Sequence, residues 1–116
     1  MVVVIIREHK MSRGKEIAQG SHGFENWLKV RLVGGKLSPE EQAYLSTGTT
    51  KVTLQIGTVA EAEDIAVRAS AAGLTVHRVI DAGKTYFKGI ATFTCLAIGP
   101  NDSDNIDKIT NHLKLY

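Results

Sequence analysis

The sequence predicts an α/β fold: a single three-layer α/β/α domain over residues 1–116, around a mixed four-stranded sheet, in the order β-α-α-β-α-β-β-α. Three observations predict it. Val2-Val3-Val4-Ile5-Ile6 is an unbroken β-branched run, the pattern of a strand buried on both faces. Helix-start signals alternate with three further apolar runs, which places helices between strands. A length of 116 residues suits one domain with one real core.

Each element has a local reason. After the first strand, a helix covers about residues 14–32. On a helical wheel Ile17, Ser21, Phe24 and Leu28 gather on one face, expected to be the buried one. Lys15, Gln19, His22 and Asn26 gather on the opposite, polar face. Ser38-Pro39-Glu40-Glu41 is a capping box with proline at the first helical position; it starts a short helix carrying Ala43, Tyr44 and Leu45. Residues 51–56 form the second strand. Thr58-x-x-Glu61 opens a helix with Ala62, Ile65, Ala66 and Ala69 on one face, and Gly73 closes it. Residues 75–80 and 93–98 are the last two strands. Asn101 or Asp102 caps a final helix with Ile106, Ile109 and Leu113 on one side and Lys108, His112 and Lys114 late, matching the helix dipole. Residues 51–80 make a βαβ unit, so its strands should run parallel with a right-handed crossover.

Composition excludes several classes. Hydrophobic residues are 43% and charged residues 22%, and the net charge is only +2, so the chain is neither a polycationic coat nor an acidic disordered segment. The longest apolar run, Met1 to Ile6, falls far short of the roughly 18 residues of a membrane span, and no membrane partner is expected. It lacks a basic leader and a small-residue cleavage site, so no signal peptide is expected. The single cysteine, Cys95, excludes an internal disulfide; a cytoplasmic location follows as an expectation. His9, His77 and His112 have no metal-ligand spacing, and no metal site is expected. The charge is uneven. Residues 1–36 hold seven Lys/Arg (Arg7, Lys10, Arg13, Lys15, Lys29, Arg31, Lys36) against three Glu, and the rest of the chain is net acidic. Such a basic third suits a polyanion, although from charge alone a solvated helix face with ordinary lysines is the simpler reading.

Three stretches carry candidate chemistry. Lys15 sits in the first turn of its helix, where a cation is mildly unfavourable unless it helps the free amides hold an anion. His22, on the same face, is a candidate general base or hydrogen-bond donor. Ser21-His22 is not a nucleophile pair, because adjacent helical residues point about 100° apart. Asp81-Ala82-Gly83-Lys84-Thr85 follows a strand, the usual place for ligands in α/β sheets. It is not a P-loop, because Arg78 stands where the earlier glycine is required. Asp81 is a candidate for orienting a base or a water, and Thr85 for hydrogen-bonding a phosphate or oxyanion. Asp81 also fits a turn cap ahead of Gly83. Thr92 and Thr94 share one strand face by period two, and Cys95 beside them reads as an inert buried thiol. Trp27 and Tyr86 are the only candidates for stacking a base.

Together these residues resemble one family. Lys10-Met11-Ser12-Arg13-Gly14-Lys15-Glu16-Ile17-Ala18-Gln19-Gly20-Ser21-His22 is similar to the K-M-x-x-G-K-x-A-A-Q-x-x-H-A signature of type II (archaeal and eukaryotic) peptidyl-tRNA hydrolases. Gly73-Leu74 with Asp81-Ala82-Gly83-Lys84-Thr85, then Thr92 to Pro100, then Ile106 to Tyr116, resemble its later blocks in order. The helix around residues 37–45 resembles an insertion of bacterial and phage-borne members. The resemblance implies hydrolysis of the ester between a peptide and the terminal ribose of tRNA, with no metal or organic cofactor, by a homodimer. It implies a site of Lys15, Gln19, His22, Asp81, Thr85, Thr92 and Thr94; Arg13 and Lys84, flanking these, are expected to bind substrate. The expected scheme has Lys15 hold a phosphate or the oxyanion, Asp81 orient or deprotonate water, with His22 the rival base, and Thr85 and Thr94 bind the ester region. Gly23 stands where the family often has Ala, Glu16 where a small or apolar residue is common, and residues 86–91 replace a proline-containing stretch. The alternatives are a catalytically silent tRNA- or RNA-binding module and a protein-interaction domain on the same fold.

Overall fold

The computed structural model describes residues 1–116. Strand β1 (Val2–Ile6) is the spine of the sheet, and all five of its residues are buried, as an unbroken apolar run requires. It is followed by a 3-10 turn (Arg7–His9), helix α1 (Arg13–Gly34), helix α2 (Pro39–Leu45) and β2 (Val52–Ile56). Then come α3 (Val59–Ala71), β3 (Val76–Asp81), β4 (Thr92–Ile98), α4 (Ser103–Thr110) and β5 (Lys114–Leu115). The sheet order is β3-β4-β1-β2-β5. β1 pairs parallel with β2, while β4 runs antiparallel to both β1 and β3. β2 and β3 therefore run in the same direction, as the βαβ reading requires, with β4 and β1 between them.

The sheet has five strands, not four. The chain leaves α4 at Thr110, earlier than the apolar spacing implied, so Leu113 and Lys114 are not helical. Lys114 and Leu115 instead pair antiparallel with Gln55 and Leu54 and cover the edge of β2. Two polar-flanked residues carry no strand pattern of their own; the unpaired edge beside them supplies the reason to extend.

The three layers are as expected. On one face Val2, Val4, Ile6, Leu54, Ile56, Leu96 and Ile98 pack under α3 and α4. On the other, Val3, Ile5, Val79, Cys95 and Ala97 pack under Trp27 of α1, with Phe24, Leu28, Tyr44 and Phe87 at the margin. Each such fully buried aliphatic side chain contributes about 1.5–3 kcal/mol. The helix punctuation is as written in the sequence. Ser38 and Glu41 form a complete capping box at α2. At the end of α3, Leu74 N donates to Ala69 O and Gly73 N to Ser70 O, with Gly73 at φ +82°, a Schellman closure.

Helix α1 departs from expectation in the face it buries. Ile17 is 66% exposed and Ser21 is exposed, whereas Glu16, Gln19, Gly20, Gly23 and Trp27 are buried. The helix docks on glycine rather than on its aliphatic stripe. A methyl group at Gly23 would lie 3.0 Å from Val3 Cγ2, 3.4 Å from Cys95 Sγ and 3.5 Å from Ala97 Cβ. This close seat explains why Gly23 replaces the family's Ala. Trp27, a candidate base platform from sequence, is core: it is 2% exposed and meets Tyr44 edge to face at 6.0 Å.

Candidate active site

The seat of α1 brings its first turns against the end of β3. Ser12 caps the helix, its side chain accepting from Lys15 N at 3.2 Å. One turn in, the Lys15 ammonium meets the Asp81 carboxylate, donating to Oδ2. Gln19 Nε2 donates to the same oxygen at 3.3 Å, and Gly83 N donates to Asp81 Oδ1 at 2.6 Å. Lys15 foremost, then the Gly83 amide, hold the Asp81 carboxyl below the ordinary carboxylate value. Asp81 is thus both the turn cap and the partner of Lys15.

Gln19 is oriented from behind. Thr94 Oγ1 donates to Gln19 Oε1 at 2.6 Å, which turns the amide nitrogen toward Asp81. Thr94 reaches it because β4 is bulged. Val79 pairs with Cys95 but Ile80 pairs with Phe93, so Thr94 is the extra residue. The period-two alternation breaks there: Phe93, Leu96 and Ile98 face α3, while Cys95 and Ala97 face α1. The Cys95 thiol donates to Gln19 O, and burial pushes its pKa up to about 12, so it is an inert core group.

Gln19 and Asp81 of the cluster line one groove, and a second lies beyond the Tyr86 ring. A polar groove of about 280 Å³ is lined by Gln19, His22, Asn26, Ile80, Asp81 and Ala82. His22, half-exposed on its wall, pairs through Nδ1 with Glu25 at 3.3 Å. A second groove of about 670 Å³ is lined by His9, Tyr86, Phe87, Lys88, Ile90 and Thr92, among others. Lys15 lines neither, but its Nζ bonds Asp81 of the first and lies 5.5 Å from the Tyr86 ring centre of the second.

Of the residues singled out from sequence, Lys15, Gln19, Asp81 and Thr94 form one hydrogen-bonded cluster. His22 and Thr92 line the adjoining grooves. Lys84 and Thr85 are exposed on the β3–β4 loop and do not join the cluster, and Arg13 is exposed at the helix start. Ser12, His9 and Phe87 went unremarked as site residues. Ser12 had a signal, a serine just ahead of the first helical turn. His9 and Phe87 had none, because only the folded loop brings them together. Glu16, unusual for the family, is explained: Arg7 Nη1 donates to it at 2.8 Å and the Tyr116 hydroxyl at 2.6 Å. No three His, Cys, Asp or Glu side chains converge where they could hold a metal ion, and no helix is long and apolar enough to cross a membrane.

The family model described as Peptidyl-tRNA hydrolase PTH2 matches residues 1–116. A peptidyl-tRNA hydrolase of Methanocaldococcus jannaschii is 38% identical over 116 residues, covering 99% of this chain and 97% of its own. One from Nanoarchaeum equitans is 35% identical, covering 98% and 96%. A human protein, peptidyl-tRNA hydrolase 2, mitochondrial, is 34% identical over 100% of this chain and 63% of its own length. These relatives are archaeal and eukaryotic, and the bacterial or phage-borne subgroup suggested by α2 draws no support from them. With the family model and the two archaeal relatives matching essentially end to end, the chain belongs to the type II peptidyl-tRNA hydrolase family.

Proposed function

We propose that the Lys15–Asp81 centre hydrolyses the ester of peptidyl-tRNA, freeing peptide and tRNA. The observation that carries the reading is the Lys15 ammonium, held by Asp81, which lines one groove, and 5.5 Å from the ring centre of Tyr86, which lines another. An ammonium has three N–H donors, and Asp81 uses one. The others are available to the ester carbonyl and to the oxyanion that forms from it, an interaction that strengthens in the transition state.

The pairing reassigns Asp81. Its oxygens already accept from Lys15, Gln19 and Gly83, and its depressed pKa makes it a weak base. Its role in this scheme is to hold Lys15 in place. The base is then His22, on the same polar groove. Water attacks the carbonyl carbon while His22 takes its proton; the tetrahedral oxyanion rests on Lys15; collapse breaks the bond to the ribose oxygen, which receives the proton from His22. Thr94 acts through Gln19, as a positioning residue. Thr85, Thr92, Lys84 and Arg13 contact the tRNA end from the loop and helix start. One domain of 116 residues thus both binds and cleaves, and binding should weaken with salt as phosphate contacts release counterions.

The test is turnover of peptidyl-tRNA by Lys15→Ala, Asp81→Ala and His22→Gln. Each should slow turnover. Near wild-type rates for Lys15→Ala and Asp81→Ala together end the scheme; a wild-type kcat in His22→Gln removes His22 as base. A homodimer belongs to the same reading. It is supported by a groove of about 390 Å³ where exposed Ile17 lies beside Phe24 and Tyr116. Sedimentation at micromolar concentration checks it, and a purely monomeric species excludes it.

A further inference from the structure

The β3–β4 loop folds back against the start of α1. Gly83, at φ +78°, lets the loop fold onto itself, with Gly89 N donating to Gly83 O at 2.7 Å. A methyl group at Gly83 would lie 2.3 Å from Ile90 O, so the fold-back needs glycine. The loop returns Tyr86 and Phe87 to the start of α1, where the Tyr86 hydroxyl accepts from Ser12 N at 2.8 Å. The two rings meet edge to face at 4.9 Å, and Phe87 meets His9 the same way at 5.6 Å. His9 is itself fixed, Nε2 lying 2.7 Å from Phe93 O. These contacts hold an aromatic wall in place with Tyr86 still 39% exposed. Lys15 Nζ lies over the two rings, 5.5 Å and 5.8 Å from the Tyr86 and Phe87 ring centres, which sets the wall beside the ammonium.

We propose that this wall stacks the 3′-terminal base of the tRNA, while the peptide leaves along the opposite groove. The proposal rests on the reading that Lys15 and Asp81 act on the ester. An ester held at Lys15 has two arms; its partner Asp81 lines one groove, and Tyr86 and Phe87, the rings nearest its Nζ, line another of different character. The peptide arm varies in side chain and is constant only in its backbone amides, which suit the amides and imidazole of Gln19, Asn26 and His22. The nucleotide arm is constant and flat, and its phosphate is anionic. It suits exposed aromatic faces with lysine at the rim, and Lys84 and Lys88 flank Tyr86 and Phe87 on the same exposed loop. The groove, at about 670 Å³, has the size of a small-ligand site.

The experiment compares two small esters of one N-acetylated amino acid, the 3′-adenosine ester and an ester of base-less ribose, on wild type and Phe87→Leu. Leucine keeps the apolar volume and removes the ring face. The wild type should prefer the adenosine ester in KM, and Phe87→Leu should shrink that preference by about 5- to 100-fold. Phe87→Trp should restore it. On the wild type alone, adenosine 5′-monophosphate should compete with the adenosine ester and shift the ring proton resonances of Tyr86 and Phe87. An unchanged preference in folded Phe87→Leu overturns the proposal. So does a wild type that ignores the monophosphate, or a Phe87→Leu variant that instead changes discrimination among amino-acid side chains. Failure of the wild type to cleave either ester, or full activity in Lys15→Ala, would count against the catalytic reading and not against the stacking wall.

Discussion

Lys15 and Asp81 meet at the N-terminal end of α1; Arg31 and Glu41 meet at its C-terminal end, where α2 docks. The two pairs look alike by ordinary measures. Their side chains are similarly withdrawn from solvent, 16% and 13% exposed in one, 27% and 3% in the other. Both carboxyls lie below their ordinary pKa. For Glu41, burial pushes upward, and the Ser38 amide and Arg31 outweigh it. They differ in setting. Glu41 Oε1 accepts from Ser38 N and from Arg31 Nε, and its oxygens serve a helix cap and an interhelical tie together. Asp81 instead lines an open polar groove with Gln19 and His22, and Lys15 lies 5.5 Å from the Tyr86 ring centre at the edge of another. Burial and a shifted pKa therefore do not separate a tether from a catalytic group; the open grooves beside the pair do.

Crossing the two pairs gives the largest effects. Lys15→Ala should cut peptidyl-tRNA turnover by about 10²–10³-fold, with a smaller loss of stability than Arg31→Ala because Gln19 and the Gly83 amide still hold Asp81. Arg31→Ala should cost about 3–5 kcal/mol of stability, by leaving Glu41 buried and unpaired, with the rate per folded molecule unchanged. If Lys15→Ala instead destabilises the fold and leaves the rate intact, the distinction between the pairs is gone.

Gly83→Ala tests the frame of the first pair. A side chain at φ +78°, pressed on the Ile90 backbone, must move the loop and the amide that holds Asp81. Turnover should fall about 10²-fold, the scale of an ångström-sized misplacement. Thr94→Val comes next. It leaves Gln19 Oε1 without its buried donor, costing about 1–3 kcal/mol by denaturation, with a smaller drop in kcat and little change in KM.

The smallest effect is in pH. The depressed Asp81 carboxyl means that the folded chain binds fewer protons than the unfolded one between the two pKa values. Stability from this pair is complete above the ordinary carboxylate value and is lost as pH falls through the depressed one. His77 adds a second acid-sensitive step, nearer neutrality. Burial first, then Arg31, lowers its pKa, and its buried Nε2 has no partner. Stability from neutral His77 is lost as pH falls below the ordinary imidazole value. Asp81→Asn should flatten only the acidic step in pH-dependent melting, and His77→Leu only the near-neutral one.

Much of the frame was legible in the residues. The β-branched run of β1, the capping box of α2 and the Gly73 closure of α3 are local signals, and they formed where they were written. The buried face of α1 was not, because a wheel that scores hydrophobicity gives weight to Ile17 and none to Gly20 or Gly23. Docking there is decided by closeness, not by transfer energy. β5 was invisible because its reason to exist lies on β2. In the site, Lys15 and Asp81 stood out singly, but their contact spans 66 positions, and only the family resemblance grouped them. The bulge that sets Thr94 and Cys95 on the same side, both against Gln19, left no mark in the sequence, since period two alone puts neighbours on opposite faces.

Gly23 sits two turns downstream of Lys15 and touches neither substrate nor Asp81, yet it acts as a thickness gauge for the catalytic centre. One methyl group inserted there would be a shim under α1, lifting Gln19 from Thr94 and Lys15 from Asp81 together. A chain that carries Ala at this position, as the family signature often does, must thin the strand beneath it to keep the same clearance. Helix seat and strand side chain are then adjustable only as a matched set. In this chain the opposing surface is Val3, so a Gly23→Ala loss should be recovered by trimming Val3→Ala.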